Sequence, residues 1–261
     1  NTFKIMSLTD LKFKIDPNIK TPMWLQIRNE LFDCLYKDIL RPGQLIPNEK
    51  TLVGLFNVSI GTVRKAIGAL EKEGILIRKQ GLGTFVCQHD DRSFLFKFFH
   101  IFFNDSDVKH IPEVELDSFK IRKANKTEMK LLNIPKENDK VFHIYNKLGF
   151  QSKVHSVDKI VIAAAKFSLL TEEILVNRHS TIYNLFQNKF NVFITHTSER
   201  IKAALVDKKI SQMLGIEMGT PILKIERLGY TYHDEIVELR TSYVNTTEVE
   251  YIREQYSLVG E

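Results

Sequence analysis

The chain has 261 residues, 43% of them hydrophobic, which is enough for one large or two smaller buried cores and too apolar for a disordered chain. Its formal net charge is +5, most of it carried by residues 1–90; that suits an anionic partner without singling out nucleic acid. Cys34 and Cys87, the two cysteines, do not make a disulfide framework or a zinc motif and fit a reducing cytoplasm.

Trp24, Ile27, Leu31 and Leu35 recur at helical spacing and predict a first helix. Arg41-Pro42-Gly43 breaks the chain. Pro47-Asn48-Glu49 opens a short second helix, with Asn48 as a cap, Lys50 in the first turn, and Leu52, Leu55 and Phe56 facing inward. Asn57 fits a left-handed turn. Ser59 then caps a third helix, in which Val63, Ile67 and Leu70 at i, i+4 and i+7 form the apolar face. Thr62, Arg64 and Lys65 fall off that face, and Gly74 ends the helix. Two short apolar runs follow, joined by a segment holding Arg78, Lys79, Gln80 and Gly81-Leu82-Gly83; they predict a basic hairpin.

A capped helix with exposed Thr and Arg near its start, followed by a basic hairpin, is what a winged helix-turn-helix needs to read DNA. The DNA-facing candidates are Asn48, Lys50, Ser59, Ile60, Thr62, Arg64, Lys65, Lys79, Gln80 and Gly81. Arg64 and Lys65 also fit an ordinary solvated helix face.

Residues 21–87 resemble the amino-terminal domain of GntR-type bacterial regulators. Four ordered motifs carry the resemblance: Pro22-Met23-Trp24-Leu25-Gln26-Ile27, Pro42-Gly43-Gln44-Leu45-Ile46-Pro47-Asn48-Glu49, Ser59-Ile60-Gly61-Thr62-Val63-Arg64 and Gly81-Leu82-Gly83-Thr84-Phe85-Val86. The resemblance implies a winged helix-turn-helix over 17–88, acting in two copies on an inverted repeat of double-stranded DNA. Three positions depart from the family pattern. Ile60 replaces the Arg that usually follows the capping Ser, Asn48 replaces a Ser, and Leu82 sits where a basic residue is common. A bidentate arginine gives about 1–3 kcal/mol of discrimination for guanine. Ile60 therefore predicts a different operator or weaker binding, while Asn48 keeps the cap.

The polar run Gln88-His89-Asp90-Asp91-Arg92-Ser93 marks a linker at 89–93 and a second domain over 94–257. The aromatic run Phe94-Leu95-Phe96-Lys97-Phe98-Phe99-His100-Ile101-Phe102-Phe103 predicts a buried central strand. A base-stacking platform is its rival. Further strands are expected near 114–123, 140–148, 153–163, 192–205, 219–231 and 235–245, with helices near 127–133, 168–176, 180–190 and 207–214. Many strands with few short helices indicate an α+β fold.

The order of these elements resembles the UTRA domain, the effector-binding partner of the winged helix in the HutC branch of the GntR family. The resembling segments are Ser180-Thr181-Ile182-Tyr183-Asn184-Leu185, Ala203-Ala204, Leu214-Gly215-Ile216, Gly219-Thr220-Pro221-Ile222-Leu223-Lys224-Ile225-Glu226-Arg227 and Val237-Glu238-Leu239-Arg240-Thr241-Ser242-Tyr243. The resemblance implies an antiparallel sheet flanked by helices, similar to chorismate lyase, with a small-molecule pocket, a homodimer and a sensing rather than catalytic role. The expected effector residues are Asn146, Lys147, Glu238, Arg240 and Tyr243, each of which also fits a solvated strand position. Glu238 and Arg240 share a strand face at i and i+2. Relatives commonly carry an Arg-Leu-Arg-like segment where this chain has Ile144-Tyr145-Asn146-Lys147-Leu148. The forked guanidinium that grips phosphate is missing there. A neutral or singly charged sugar or amino-acid-related metabolite is therefore expected rather than a sugar phosphate.

Eight histidines are scattered without metal spacing, and no phosphate loop, nucleophile elbow or dinucleotide fingerprint occurs. No metal, cofactor or catalytic residue is expected. No apolar run reaches the ~18 residues of a membrane span, and residues 1–15 lack the h-region of a secretory leader. The sequence thus predicts a cytoplasmic, ligand-responsive transcription regulator, a repressor in its simplest form. Two alternatives stay open: a metabolite sensor or protein-interaction module that no longer reads DNA, prompted by Ile60 and Leu82, and an enzyme of the lyase fold.

Overall fold

The computed structural model describes residues 8, 11–37, 39–87, 98–104, 111–178 and 181–253. In chain order the elements are α1 (Met23–Tyr36), α2 (Glu49–Phe56), α3 (Ile60–Lys72), β1 (Leu76–Lys79), β2 (Gly83–Val86), β3 (Ile101–Phe103), β4 (Glu113–Lys123), α4 (Lys126–Leu131), β5 (Lys140–Phe150), β6 (Lys153–Ala163), α5 (Glu172–Val176), α6 (Ile182–Phe190), β7 (His196–Leu205), α7 (Lys208–Leu214), β8 (Pro221–Tyr230), β9 (Ile236–Val244) and β10 (Val249–Tyr251). The chain divides into two compact units, 1–94 with 180–196, and 95–179 with 197–261. The expected linker at 89–93 lies outside the described residues.

The first unit is built as the apolar spacing requires. Ile27, Leu31 and Leu35 of α1, Leu52 and Phe56 of α2, and Val63, Ile67 and Leu70 of α3 are all buried. Each such side chain contributes about 1.5–3 kcal/mol. Asn48 and Ser59 cap α2 and α3 through the backbone N–H of Thr51 and Thr62. Asn57 takes the left-handed conformation, φ 52°, and Gly74 does so after α3, φ 71°. Arg28 of α1 holds Glu73, just past α3, at 2.6 Å. Strands β1 and β2 form an antiparallel hairpin. The segment 43–46 runs along β2, through Gly43 N–H to Val86 O and Ile46 N–H to Thr84 O, both 2.9 Å. A third strip of backbone therefore anchors the hairpin. Helix α6 also belongs to this unit, although the sequence places it in the domain 94–257; buried Gln187 donates its Nε2 to the Cys87 carbonyl at 3.2 Å.

The second unit is a six-stranded sheet in the order β4-β5-β6-β9-β8-β7, with antiparallel pairing from β4 through to β8. The α+β expectation holds. Directly opposed residues share a face, so Asn146, Asp158, Ser242 and Ile225 line up in one row. Glu238 and Arg240 lie on that same face, and Lys147, Val157 and Tyr243 on the opposite one. Helix α7 packs Ile210 and Leu214 on the Tyr243 face against Tyr145, Val157 and Ile222. Leu132 and Ile134, after α4, cover Val141 and Val161 on that face.

Several expectations are corrected. The aromatic run is not a central strand. Residues 94–97 lie outside the described residues, and β3 makes a two-stranded ribbon with β10, a strand the sequence did not mark. The long strands β5, β6 and β9 occupy the middle of the sheet, and the ribbon packs Ile101 and Val249 over Ile225 and Val244. Residues 192–195 are buried but not in a strand, because Asn191 ends α6 in the left-handed region and the ladder begins at His196. Helix α5 starts only at Glu172, where Thr171 supplies the cap.

His143 is half-buried on β5, 5.0 Å from the Tyr145 ring. Burial first, then repulsion from Arg122, Lys159 and Lys209, lowers its pKa from 6.5 to about 4. The folded chain thus favours neutral His143. Its contribution is complete above pH 6.5 and is lost as pH falls from 6.5 towards 4. The urea midpoint should drop between pH 7.5 and pH 4.5, and His143→Gln should shrink that drop; an identical drop in the variant would exclude His143 as a source.

Candidate nucleic-acid and effector sites

The exposed end of α3 begins with its cap. Ser59 Oγ accepts the Thr62 N–H at 3.2 Å and lies 2.8 Å from the Thr62 hydroxyl. Thr62 is half-buried and engaged in this cap, whereas Ile60 is 42% exposed. An apolar side chain therefore sits where a helix N-terminus would favour an anion. Arg64 is exposed one turn on, and its Nε donates to Glu49 Oε2 at 2.7 Å. Glu49 also faces Arg78 Nη2 at 3.5 Å, and Arg78 Nε lies 3.3 Å from Glu71. Arg78, absent from the sequence-derived candidates, thus stands with Arg64 on one carboxylate. Its place beside Lys79 in the basic hairpin was the available signal.

Lys65 is exposed but lies over the Trp24 ring at 4.8 Å, a cation–π contact back to α1. Lys79 lies over Phe85 at 5.2 Å. Asn48 spends its side chain on the α2 cap and on the Thr51 hydroxyl, at 2.9 and 3.0 Å. Lys50 and Gln80 are exposed. Gly81 and Gly83 carry φ values of 74° and 115° and turn the hairpin, leaving Leu82 68% exposed at its tip.

The effector candidates separate into two groups. Glu238 is fully buried, and Arg240 donates to its Oε1 from Nη2 at 2.6 Å and from Nε at 3.1 Å. Arg240 Nη1 donates to Asp158 Oδ2 at 2.9 Å, and the Ser242 hydroxyl donates to Asp158 Oδ1. Asn146 sits opposite Asp158 and is 3% exposed; its Oδ1 is buried and accepts no hydrogen bond. A buried acceptor without a donor costs about 1–3 kcal/mol. Arg178, after α5, is half-buried and donates from Nη1 to the Leu175 carbonyl. Burial, then repulsion from the nearby Arg240 charge, pulls its pKa below the usual arginine value. Among the described residues Arg178 has no carboxylate partner.

Lys147 and Tyr243, by contrast, point to the other face. Lys147 Nζ lies 3.2 Å from Asp117 and 3.8 Å from Glu115 across the β4–β5 pair. Tyr243 packs against the α7 cluster, where burial, then the neighbouring Tyr145, Asp207 and Glu226, push its pKa up to about 12. A single pocket wall cannot hold Glu238 together with Tyr243 and Lys147, because adjacent strand positions alternate between faces. Asp158 and Ser242 were missed. The signal for Asp158 was a carboxylate at a buried position of β6, on the face that also carries Ile160 and Ile162.

Residues 25–86 match the bacterial regulatory proteins, gntR family, and residues 108–250, more than half of the chain, match the UTRA domain. The chain is 28% identical over 228 residues to a Shigella flexneri protein named "Probable fructoselysine utilization operon transcriptional repressor", covering 87% of this chain and 92% of that one. It is 24% identical over 230 residues to the Escherichia coli mannosyl-D-glycerate transport/metabolism system repressor MngR, covering 88% and 94%. Among solved structures, a ligand-binding domain from Bordetella bronchiseptica superposes with TM-score 0.58 at 23% identity, over 60% of this chain and 97% of that one. That likeness concerns the fold alone.

Arg64→Ala should weaken duplex binding by about 1–3 kcal/mol if the residue touches a base, or lower the salt slope by about one if it touches phosphate; unchanged affinity and slope in a salt titration would remove it from the interface. Ile60→Arg should change the sequences recovered from random DNA. Recovery of the same half-sites at the same affinity would mean that position 60 does not face DNA.

Proposed function

We propose, from the premise that this chain belongs to the gntR family of bacterial regulators and carries a UTRA domain, that it is a cytoplasmic homodimeric repressor released from an inverted-repeat operator by a small hydroxyl-rich metabolite. Residues 17–88 bind DNA and 94–257 bind the effector and the second copy. No cofactor or catalytic step enters this reading, and the curated relatives are named as transcription regulators.

The observation that carries the effector reading is the unpartnered Asn146 Oδ1 beside the Asp158–Arg240–Glu238 network. The network's carboxylates and guanidinium are already bonded to one another, so they supply shape and directed polar edges rather than free charge. Asn146 offers an acceptor to a ligand hydroxyl or amine. Arg178 feels the Arg240 charge and has no acidic partner among the described residues, which supports a ligand of one negative charge at most. Hydroxyl-rich conjugates fit this lining, and the two relatives bear the names of fructoselysine and mannosyl-D-glycerate systems.

A ligand that binds only the folded chain raises apparent stability by about 2.7 kcal/mol at a hundredfold excess over its Kd. Thermal-shift screening of sugars, amino sugars and sugar–amine or sugar–acid conjugates, with and without phosphate, should return a hit that also releases the protein from DNA. Asn146→Leu should stabilise the ligand-free protein by removing the unsatisfied acceptor, and should abolish the ligand's shift. A full shift retained in that variant would move the effector away from Asn146, and a doubly charged sugar phosphate as the tightest ligand would overturn the charge reading.

A further inference from the structure

Glu49 is the first residue of α2, directly after the Asn48 cap. Its two oxygens divide between two arginines on two other elements: Oε2 takes Arg64 Nε of α3 at 2.7 Å, and Oε1 faces Arg78 Nη2 of β1 at 3.5 Å. Arg64 remains 62% exposed and Arg78 55% exposed. Pairs this exposed contribute little to stability. The helix is already capped by Asn48, so Glu49 is not needed to terminate it. A carboxylate on a surface that meets a polyanion also opposes binding in simple Coulomb terms. An acid in the first turn favours the helix dipole, but neither that modest gain nor affinity accounts for an acid that bridges two arginines.

Orientation does. Arg64 bonds Glu49 through Nε alone, and among the described residues its terminal nitrogens have no partner. Those two nitrogens form the edge that pairs with guanine O6 and N7 or with two phosphate oxygens. A free arginine must freeze several rotors on binding; one already held at Nε has fewer to freeze and can be aimed. Arg78 is held twice, at Nη2 by Glu49 and at Nε by Glu71, 3.3 Å away. The same carboxylate therefore ties the recognition helix to the hairpin.

We propose that Glu49 is a positioning residue for DNA reading, holding Arg64 and Arg78 in fixed directions so that sequence discrimination, rather than total affinity, depends on it. The role matters more here because Ile60 removes the cation from the first turn of α3 and leaves Arg64 as the first guanidinium of that helix.

The test uses the full chain, one duplex selected from random DNA by the unmodified protein, and one unselected duplex of equal length. Glu49→Gln keeps the shape and removes the charge. It should bind the unselected duplex as tightly or more tightly, because a repelling charge is gone, while the selected-to-unselected ratio falls about tenfold. In an Arg64→Lys background, Glu49→Gln should change the ratio far less, since the group it positions is no longer a fork. Equal tightening on both duplexes would overturn the proposal and leave Glu49 as a repelling charge only. Equal weakening on both, with a lowered unfolding midpoint, would also overturn it and assign Glu49 to the fold.

Discussion

The buried carboxylate of Glu238 is tenable because Arg240 lies two residues along the same strand and closes on it at 2.6 Å. An isolated charge inside a sheet would be expelled or neutralised. Arg240 is in turn committed to a second carboxylate, Asp158, on the neighbouring strand. Three charged groups and Ser242 thus form one network across β6 and β9. Removing one partner from such a pair typically costs about 3–5 kcal/mol, because the other charge is left buried and unpaired. The network fixes the β6–β9 register, since a one-residue slip would turn Asp158 to the Tyr243 face and leave Arg240 half-satisfied. That register, with the β5–β6 pairing that sets Asn146 opposite Asp158, arranges the lining of the proposed effector site.

The first unit uses charge in the opposite way. Arg64 and Arg78 are exposed, the carboxylates they face are half-buried, and the core is apolar, aliphatic and aromatic together. The apolar stripe of α3 is spent on packing against α1 and α2, so the polar stripe is free to vary. Ile60 can therefore replace a cation without cost to the fold, and Leu82 can sit at the hairpin tip. What cannot vary there is the backbone: Gly83 has φ 115°, and a Cβ would approach Leu45 Cδ1 to 2.7 Å.

Much of the first unit was legible because its signals are local. Asn48, Asn57, Ser59 and Gly74 each act within one turn of themselves, and the sequence places all four. The Glu49–Arg64–Arg78 junction was not legible, because it joins residues 15 and 29 positions apart. In the second unit the strands were legible but their facing partners were not. Alternation along β9 put Glu238 and Arg240 together and, read consistently, also put Tyr243 on the other face. The pairing of Asn146 with Asp158 depends on the turn at Gln151 and Ser152, both with positive φ, and on a register shift at Leu148 and Gly149. A Cβ at Gly149 would come within 2.3 Å of the Lys153 carbonyl. Glycine is required there, yet nothing in the alternation announces the shift. The aromatic run misled for a related reason: strand propensity says that a segment fits a half-buried pleated surface, not whether a ladder partner is available in the middle of a sheet.

Two of the departures from the family pattern, at position 60 and across 144–148, have one physical consequence in common. Each lacks a guanidinium that the family resemblance implies there, and in the proposed reading each leaves recognition to a group held by neighbours. On the proposed DNA side that group is Arg64, bonded to Glu49 through Nε. On the Glu238 face it is Arg240, fixed by two carboxylates, with Asn146 left as an open acceptor. A held group gains less from raw charge than a free one, because its field is partly cancelled by the acid that holds it. It gains more from geometry, because its direction is already set before the partner arrives. In the proposed reading, both surfaces therefore select by shape and hydrogen-bond direction more than by net charge.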